Sequence, residues 1–354
     1  MRRVGKWLGR LLLALVVLVG AVWLFGPTEP VERGAPFAGD LSDPAAHLAA
    51  REAVFDDITP GAEARIIWAG APGAETPLTV LYLHGFSATS EEIRPVPDNV
   101  ADALGANLVY ARLRGHGRGG AALAEATAGA WIDDTAEALA VARAVGEEVL
   151  IIGTSTGATL AAIAMTEPDM AVDVAGVVMI SANFELANPA GVLLEWPAAR
   201  VWVPWLVGAE RSFETLNEMH ATYWTWSYPT VATLPLAAVM REARERDYST
   251  VEAPLLSIFS DQDQVVSAAA SRAFAEGWGG PVQLAPQDLP AEGADPYNHV
   301  IAGDVLSPAM TADVTQIILD WAAAQGLLEQ GRFPRCSDDF LSFPLPKPVS
   351  ERRF

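Results

Sequence analysis

Gly153-Thr154-Ser155-Thr156-Gly157 places a serine between two glycines, after the apolar run 149–152 and before the small-residue stretch 158–165. A strand, a sharp turn and a helix in that order turn G-x-S-x-G into an exposed nucleophile, and the glycines remove Cβ atoms from the tight bend. A serine hydroxyl needs a base, and the chain has five histidines. His47 precedes the periodic part of the chain, His84 and His116 end apolar runs upstream of the serine, and His220 sits in a tryptophan-rich stretch. His299 follows the last strand candidate and precedes the last helix candidate, so its loop can reach back over a sheet edge to take the proton of Ser155. The imidazole in turn needs a carboxylate to hold its tautomer. Ser260-Asp261-Gln262-Asp263-Gln264-Val265-Val266 offers two, Asp261 and Asp263. Asp263 is favoured, because D-x-V-V sets it at the head of the turn into the next helix, while Asp261 reads as a turn residue or cap. A tetrahedral oxyanion on this serine requires N–H donors. Thr156 supplies one, and Phe86, in Leu83-His84-Gly85-Phe86-Ser87, the other. His84 is expected to brace that loop beside bound substrate rather than to transfer protons.

These residues must be carried by a scaffold, and the spacing of apolar runs predicts one. Strand candidates lie at 64–69, 78–83, 107–111, 148–152, 175–180, 254–259 and 282–285. Helical patterns at about 90–104, 131–146, 156–166, 267–277 and 308–325 alternate with them. Buried strands alternating with helices give a doubly wound, mostly parallel sheet covered on both faces. The expected α/β core is 63–183 and 251–330. Between its halves, 184–250 holds five of the eleven tryptophans, and prolines break it into short pieces. An insertion at the ligand-binding edge of such a sheet reads as a helical lid. Trp202, Trp205, Trp224 and Trp226 are expected to face substrate from it.

The first 26 residues differ in kind. Arg2, Arg3, Lys6 and Arg10 precede an apolar run over 11–25, with Trp7 and Trp23 near its ends. A membrane anchor is favoured over a cleaved signal, because bulky residues stand where a signal peptidase wants small ones. Either way the basic flank stays inside and the body is exported, to a periplasmic or extracellular side; secretion after cleavage is the alternative. Residues 27–62, rich in Pro, Gly, Ala and acids, read as a tether with one short helix around 45–55. The proline-rich stretch 331–354 reads as an extended tail, with the single cysteine, Cys336, in it. One cysteine excludes an intramolecular disulfide, and the histidines show no metal-binding spacing, so neither metal nor cofactor is expected. The letters of G-x-G-x-x-G recur at 115–120, but no acid marks the ribose-binding station of a dinucleotide site. A net charge of −21 argues against a nucleic-acid partner.

Taken in order, H-G-F at 84–86, R-G-H-G at 114–117, G-T-S-T-G at 153–157, D-Q-V-V at 263–266 and N-H at 298–299 resemble the α/β-hydrolase superfamily. The likeness is greatest to its carboxylesterase, monoglyceride lipase and lysophospholipase-like members and spans about 63–325. It implies Ser155 as nucleophile, Asp263 as acid, His299 as base, and Phe86 and Thr156 as oxyanion donors. In such relatives the R-G-H-G loop shapes the site. The threonine at 156 departs from the bulky or amide residue more usual after the serine in the lipase-like members. The expected activity is hydrolysis of a carboxylic ester, lipid-like in view of the membrane segment, through an acyl-enzyme. Amides, thioesters or lactones are the alternative substrates, and a non-catalytic scaffold binding a hydrophobic ligand is the alternative function.

Overall fold

Apolar runs buried on both faces leave no solvated side, so they pair into the interior of one sheet. The computed structural model describes residues 2–328. Its strands are β1 (Arg65–Ile67), β2 (Thr76–Leu83), β3 (Asn107–Tyr110), β4 (Gly146–Thr154) and β5 (Val174–Ile180). A small separate ribbon follows, β6 (Glu210–Ser212) with β7 (Ser227–Pro229), and then β8 (Leu255–Phe259) and β9 (Val282–Pro286). The sheet order is β1-β3-β2-β4-β5-β8-β9, antiparallel only at β1. Register pairs Tyr82 with Ile152 and Leu83 with Gly153, so the ends of β2 and β4 lie side by side.

Two helices precede the sheet, α1 (Arg2–Phe25) and α2 (Pro44–Glu52). The crossovers are α3 (Val96–Leu104), α4 (Gly120–Glu125), α5 (Ala128–Arg143), α6 (Thr156–Met165) and α7 (Pro168–Ala171). Between β5 and β8 lie α8 (Ala199–Val207), α9 (Glu218–Tyr223) and α10 (Thr233–Arg244); α11 (Ala268–Glu276) and α12 (Thr311–Ala324) complete the chain. Alternation along β4 sends Val149 and Ile151 into one core, with Trp131 of α5, Ile163 of α6 and Val239 of α10. Leu150 and Ile152 enter the other, with Val100 of α3 and Ile318 and Trp321 of α12. On α12 the buried positions Val314, Ile318, Trp321 and Ala322 form one helical stripe. The sheet and crossover expectations match this architecture to within a few residues, except that α3 begins at Val96 rather than about 90, the residues Ser90–Glu92 forming a separate short turn. Helix α5 starts three residues earlier than its apolar pattern suggests, because the Thr127 hydroxyl caps Ala130 N–H at 3.2 Å.

Two expectations about domain limits need correcting. The stretch 184–250 does not stand apart as a whole. Helix α10 lies on the core through Leu236, Val239, Met240 and Ala243, an apolar face at helical spacing that a single-sequence reading assigns equally well to a lid. The outlying part is therefore about 184–232. Residues 27–62 are not a free tether but a strap laid on the body. Glu29 is buried and pairs with Arg200, and its carbonyl accepts from Arg241 at 2.6 Å. Arg33 pairs with Asp133 at 2.8 Å. Asp43 caps α2, Leu48 enters the core, and Glu52 forms a buried ion pair with Arg112. Strap acids find body arginines far along the chain, which composition cannot reveal. The strap also leaves no slack at its start. Ala198 N–H donates to Pro27 O at 2.7 Å, and the Trp23 ring meets Trp196 edge-on at 4.7 Å. The proline-rich stretch 331–354, with Cys336, lies outside the described residues.

Candidate active site

Ser155 sits in the bend between β4 and α6 with φ +51° and ψ −116°, a region a non-glycine residue occupies only under constraint. The constraint is visible: Ser155 N–H donates to Ile180 O at 2.8 Å, and α6 is pressed onto the end of β2. A Cβ on Gly157 would run into the carbonyl oxygen of Leu83, so only glycine permits that approach. Ser87, Ser181 and Asn298 also have positive φ, and each lies in a turn that borders Ser155 or His299. Strain of this kind gathers at functional sites.

His299 Nε2 lies 3.1 Å from Ser155 Oγ, and its Nδ1 lies 2.8 Å from Asp263 Oδ2. The sequence-expected Ser155, Asp263 and His299 are thus brought together. Asp263 uses its other oxygen on its own turn, where Oδ1 accepts from Val265 N–H at 2.7 Å and Val266 N–H at 2.9 Å. That division explains D-x-V-V physically: one oxygen builds the turn and the other is left for the imidazole. Asp261 points away and forms an exposed pair with Arg272 at 2.7 Å. A hydrogen bond from Nδ1–H to Asp263 leaves the Nε2 lone pair facing the serine. Burial of the imidazole lowers its pKa, but the charge and hydrogen bond of Asp263, with the charges of Glu92 and Asp295, outweigh this and raise it above 6.5.

The amides of Phe86 and Thr156 find no acceptor among the described residues; Thr156 follows Ser155, and Gly85, which precedes Phe86, closes on the Ser155 side chain. An unpaired N–H at such a place is available to an anion. His84 is fully buried with both ring nitrogens engaged, donating to Gly85 O at 2.9 Å and accepting from Leu113 N–H at 3.1 Å. Burial pushes its pKa down to about 4, so it is neutral. It braces the loop that carries Gly85 and Phe86, and both its nitrogens are spent on backbone groups.

The four tryptophans do not form one surface. Trp202 is tied to Pro197 O through its indole N–H at 3.0 Å, and Trp205 is 87% exposed. Trp224, packed against His220, and Trp226 both line a cleft of about 290 Å³ with Gly117, Gly119, Gly120 and Tyr223. None of the four is placed against Ser155 by a contact the structure records. The insertion reaches the site elsewhere. Tyr228 meets the Phe86 ring at 5.4 Å, Thr225 N–H donates to Ser87 O at 2.7 Å, and Glu185 O accepts from Ser267 N–H at 2.8 Å. Ser155 and His299 are both buried.

Three contributors were not foreseen from sequence. Asp295 Oδ2 accepts from the N–H groups of His299 and Val300, both at 3.0 Å, and the Ser181 hydroxyl donates to His299 O at 2.7 Å, so the histidine loop is pinned at both ends. Glu92, buried, accepts from Gly85 N–H at 2.7 Å. The only signal for any of them was the type of residue; the partners are backbone groups located by the fold. Among the described residues no group of His, Cys, Asp and Glu is arranged to hold a metal ion.

A family model, Hydrolase_4, described as serine aminopeptidase S33, matches residues 74–284, which include Ser155 and Asp263 and stop short of His299. No curated protein matches the chain. Among solved structures the chain is similar to a metagenome-derived lipolytic enzyme (of LipS and LipT), at TM-score 0.59 and 21% identity over 75% of this chain and 99% of that one. It is similar to the monoacylglycerol lipase of Paleococcus ferrophilus, at TM-score 0.52 and 14% identity over 74% and 99%. A soluble variant of the Saccharomyces cerevisiae monoglyceride lipase, in complex with a substrate analog, gives TM-score 0.54 and 11% identity over 74% and 91%. At these identities the likenesses speak for the fold alone.

Proposed function

This chain belongs to the Hydrolase_4 family of α/β-hydrolases, serine aminopeptidase S33, and we propose that within it the chain is a membrane-anchored serine esterase acting on lipid-like carboxylic esters. The observation that carries this reading is the unbroken relay from Asp263 Oδ2 through His299 to Ser155 Oγ, at 2.8 and 3.1 Å. In it Ser155 Oγ attacks the ester carbonyl while His299 Nε2 takes its proton. Negative charge developing on the carbonyl oxygen is met by the amides of Phe86 and Thr156, each worth about 2.7–4 kcal/mol to the transition state. His299 then protonates the departing alkoxide, leaving an acyl group on Ser155. A water that gives its proton to the same nitrogen releases the acid. Asp263 holds the tautomer throughout and stabilises the imidazolium.

The membrane part rests on α1, where Lys6–Phe25 is long and apolar enough to cross a bilayer and none of it is buried in the body. The basic residues before it favour an exported body. Close to its end, α8 exposes Val201, Trp205, Leu206 and Val207. Large aliphatic and indole side chains are at home in the interfacial layer of a membrane, next to apolar esters. The insertion over Ser155 and His299 then acts as a cover that must shift for substrate to enter.

The test is labelling of the full-length chain in detergent with a fluorophosphonate, beside a Ser155→Ala control. Label on wild type and none on the variant is the expected result, followed by turnover of glycerol or phenyl esters that increases with acyl length. A folded wild type that takes no label removes the catalytic reading and leaves the binding scaffold. Aminoacyl anilides run in parallel test the amide alternative; faster turnover of these than of any ester would make the chain a peptidase.

A further inference from the structure

Glu92 takes no part in the chemistry above, yet it stands inside the site at 2% exposure, on the short turn Ser90–Glu92. Its Oε2 accepts from Gly85 N–H at 2.7 Å and from the Tyr82 hydroxyl at 2.9 Å. The Tyr82 oxygen lies 3.2 Å from Thr154 Oγ1. With its single proton given to the carboxylate, the phenol accepts the proton of Thr154. Gly85 is the residue before Phe86, and Thr154 the residue before Ser155. One carboxylate therefore reaches the residue preceding the oxyanion amide directly, and the residue preceding the nucleophile through one phenol. Its other oxygen fills the same corner. A Cβ added to Gly85 would come within 2.6 Å of Glu92 Oε1 and 3.2 Å of Ser155 Cβ, so carboxyl, loop and nucleophile meet without a gap.

Among the described residues no cation is bonded to this carboxyl. Arg65 is committed to Ser90 and Glu91, and Arg94 to Glu91 and Asp98. The charged group that acts on it across the site is His299. Burial raises its pKa to about 7, held down by the Gly85 N–H, by Tyr82 and by the charge of His299. A buried acid without an ion partner is a poor way to gain stability, since an apolar side chain would fill the space at less cost.

We propose that Glu92 is the positioning residue of the oxyanion site: it aims the Phe86 amide by holding Gly85 N–H, and couples that peptide to the nucleophile turn through Tyr82 and Thr154. The proposal rests on Ser155 being the nucleophile. Without the acceptor, Gly85 N–H and the Tyr82 hydroxyl lose their partner and the loop relaxes. A displacement of about 1 Å at a reacting centre costs on the order of 100-fold in rate.

Glu92→Gln keeps an oxygen for both donors; Glu92→Ala removes it. In the full-length chain, with p-nitrophenyl butyrate as substrate, Glu92→Ala is expected to lower kcat by about 10- to 100-fold and leave KM within about twofold, because the amide acts on the transition state. Glu92→Gln is expected to restore kcat to within about threefold of wild type. Fluorophosphonate labelling rates should follow kcat. Should the alanine variant not fold, Glu92→Leu fills the space without accepting and takes its place. A folded variant without the acceptor that keeps wild-type kcat overturns the proposal, as does a glutamine variant that falls as far as alanine. A wild type that neither labels nor turns over ester overturns the reading of Ser155, and the role of Glu92 with it.

Discussion

At the scale of single residues, the two oxygens of Asp263 make separable predictions. Asp263→Asn keeps an acceptor for Val265 and Val266 N–H but presents an amide to His299 Nδ1, which disfavours the tautomer that leaves Nε2 free. Activity should fall by about 10³- to 10⁴-fold. Asp261→Asn breaks only an exposed pair with Arg272 and should leave kcat unchanged. Equal losses in the two variants would exclude the relay. The same relay sets a pH dependence. In its proposed role as base His299 must be neutral, and its pKa is raised above 6.5. Ester turnover should therefore rise with pH through a midpoint above 6.5 and fade below it; a pH profile of kcat/KM checks this, and a midpoint below 6.5 contradicts it. Ser155, Asp263 and His299 were legible because each sits in a local pattern whose turn chemistry is written in neighbouring residues. Glu92 and Asp295 were not, since what they hold is backbone N–H brought to them by the fold.

At the scale of elements, the strap carries the test. Glu52, at the end of α2, reaches Arg112 just after β3, and both side chains are buried. Glu52→Ala leaves the guanidinium uncompensated in the interior, where removing one partner costs about 3–5 kcal/mol. Urea unfolding followed by tryptophan fluorescence should show that loss; a change of under about 0.5 kcal/mol, the ordinary range of a surface substitution, would return 27–62 to the status of a tether. Strands and crossovers could be read from sequence because burial on two faces leaves continuous apolar runs, as in β4. The strap could not. Its prolines, alanines and acids compose a flexible linker equally well until the arginines they pair with are known. Helix α10 misled for a related reason: an amphipathic face records that something covers it, not what does.

Across the whole molecule, the net charge of −21 and the apolar surface are unevenly matched, since α8 sets Trp205 and Leu206 in solvent a short way from the end of α1. Trp205→Ser with Leu206→Ser should leave stability and turnover of a short, soluble ester close to wild type. It should slow turnover of a long-chain ester dispersed in vesicles several-fold. Parallel loss on both substrates would assign α8 to folding, and no loss on either would detach it from the membrane.

The junction of α1 with the body has one more consequence. Had 27–62 been a random coil, its 36 residues would have let the domain wander about 30–36 Å from the bilayer. Pro27 is instead stitched to Ala198, and Glu29 to Arg200. If α1 is embedded, as proposed, these contacts hold the domain close to the bilayer surface. On the proposed reading of α1 as an anchor, a substrate diffusing laterally in the nearest leaflet would meet the domain by a two-dimensional search rather than a three-dimensional one.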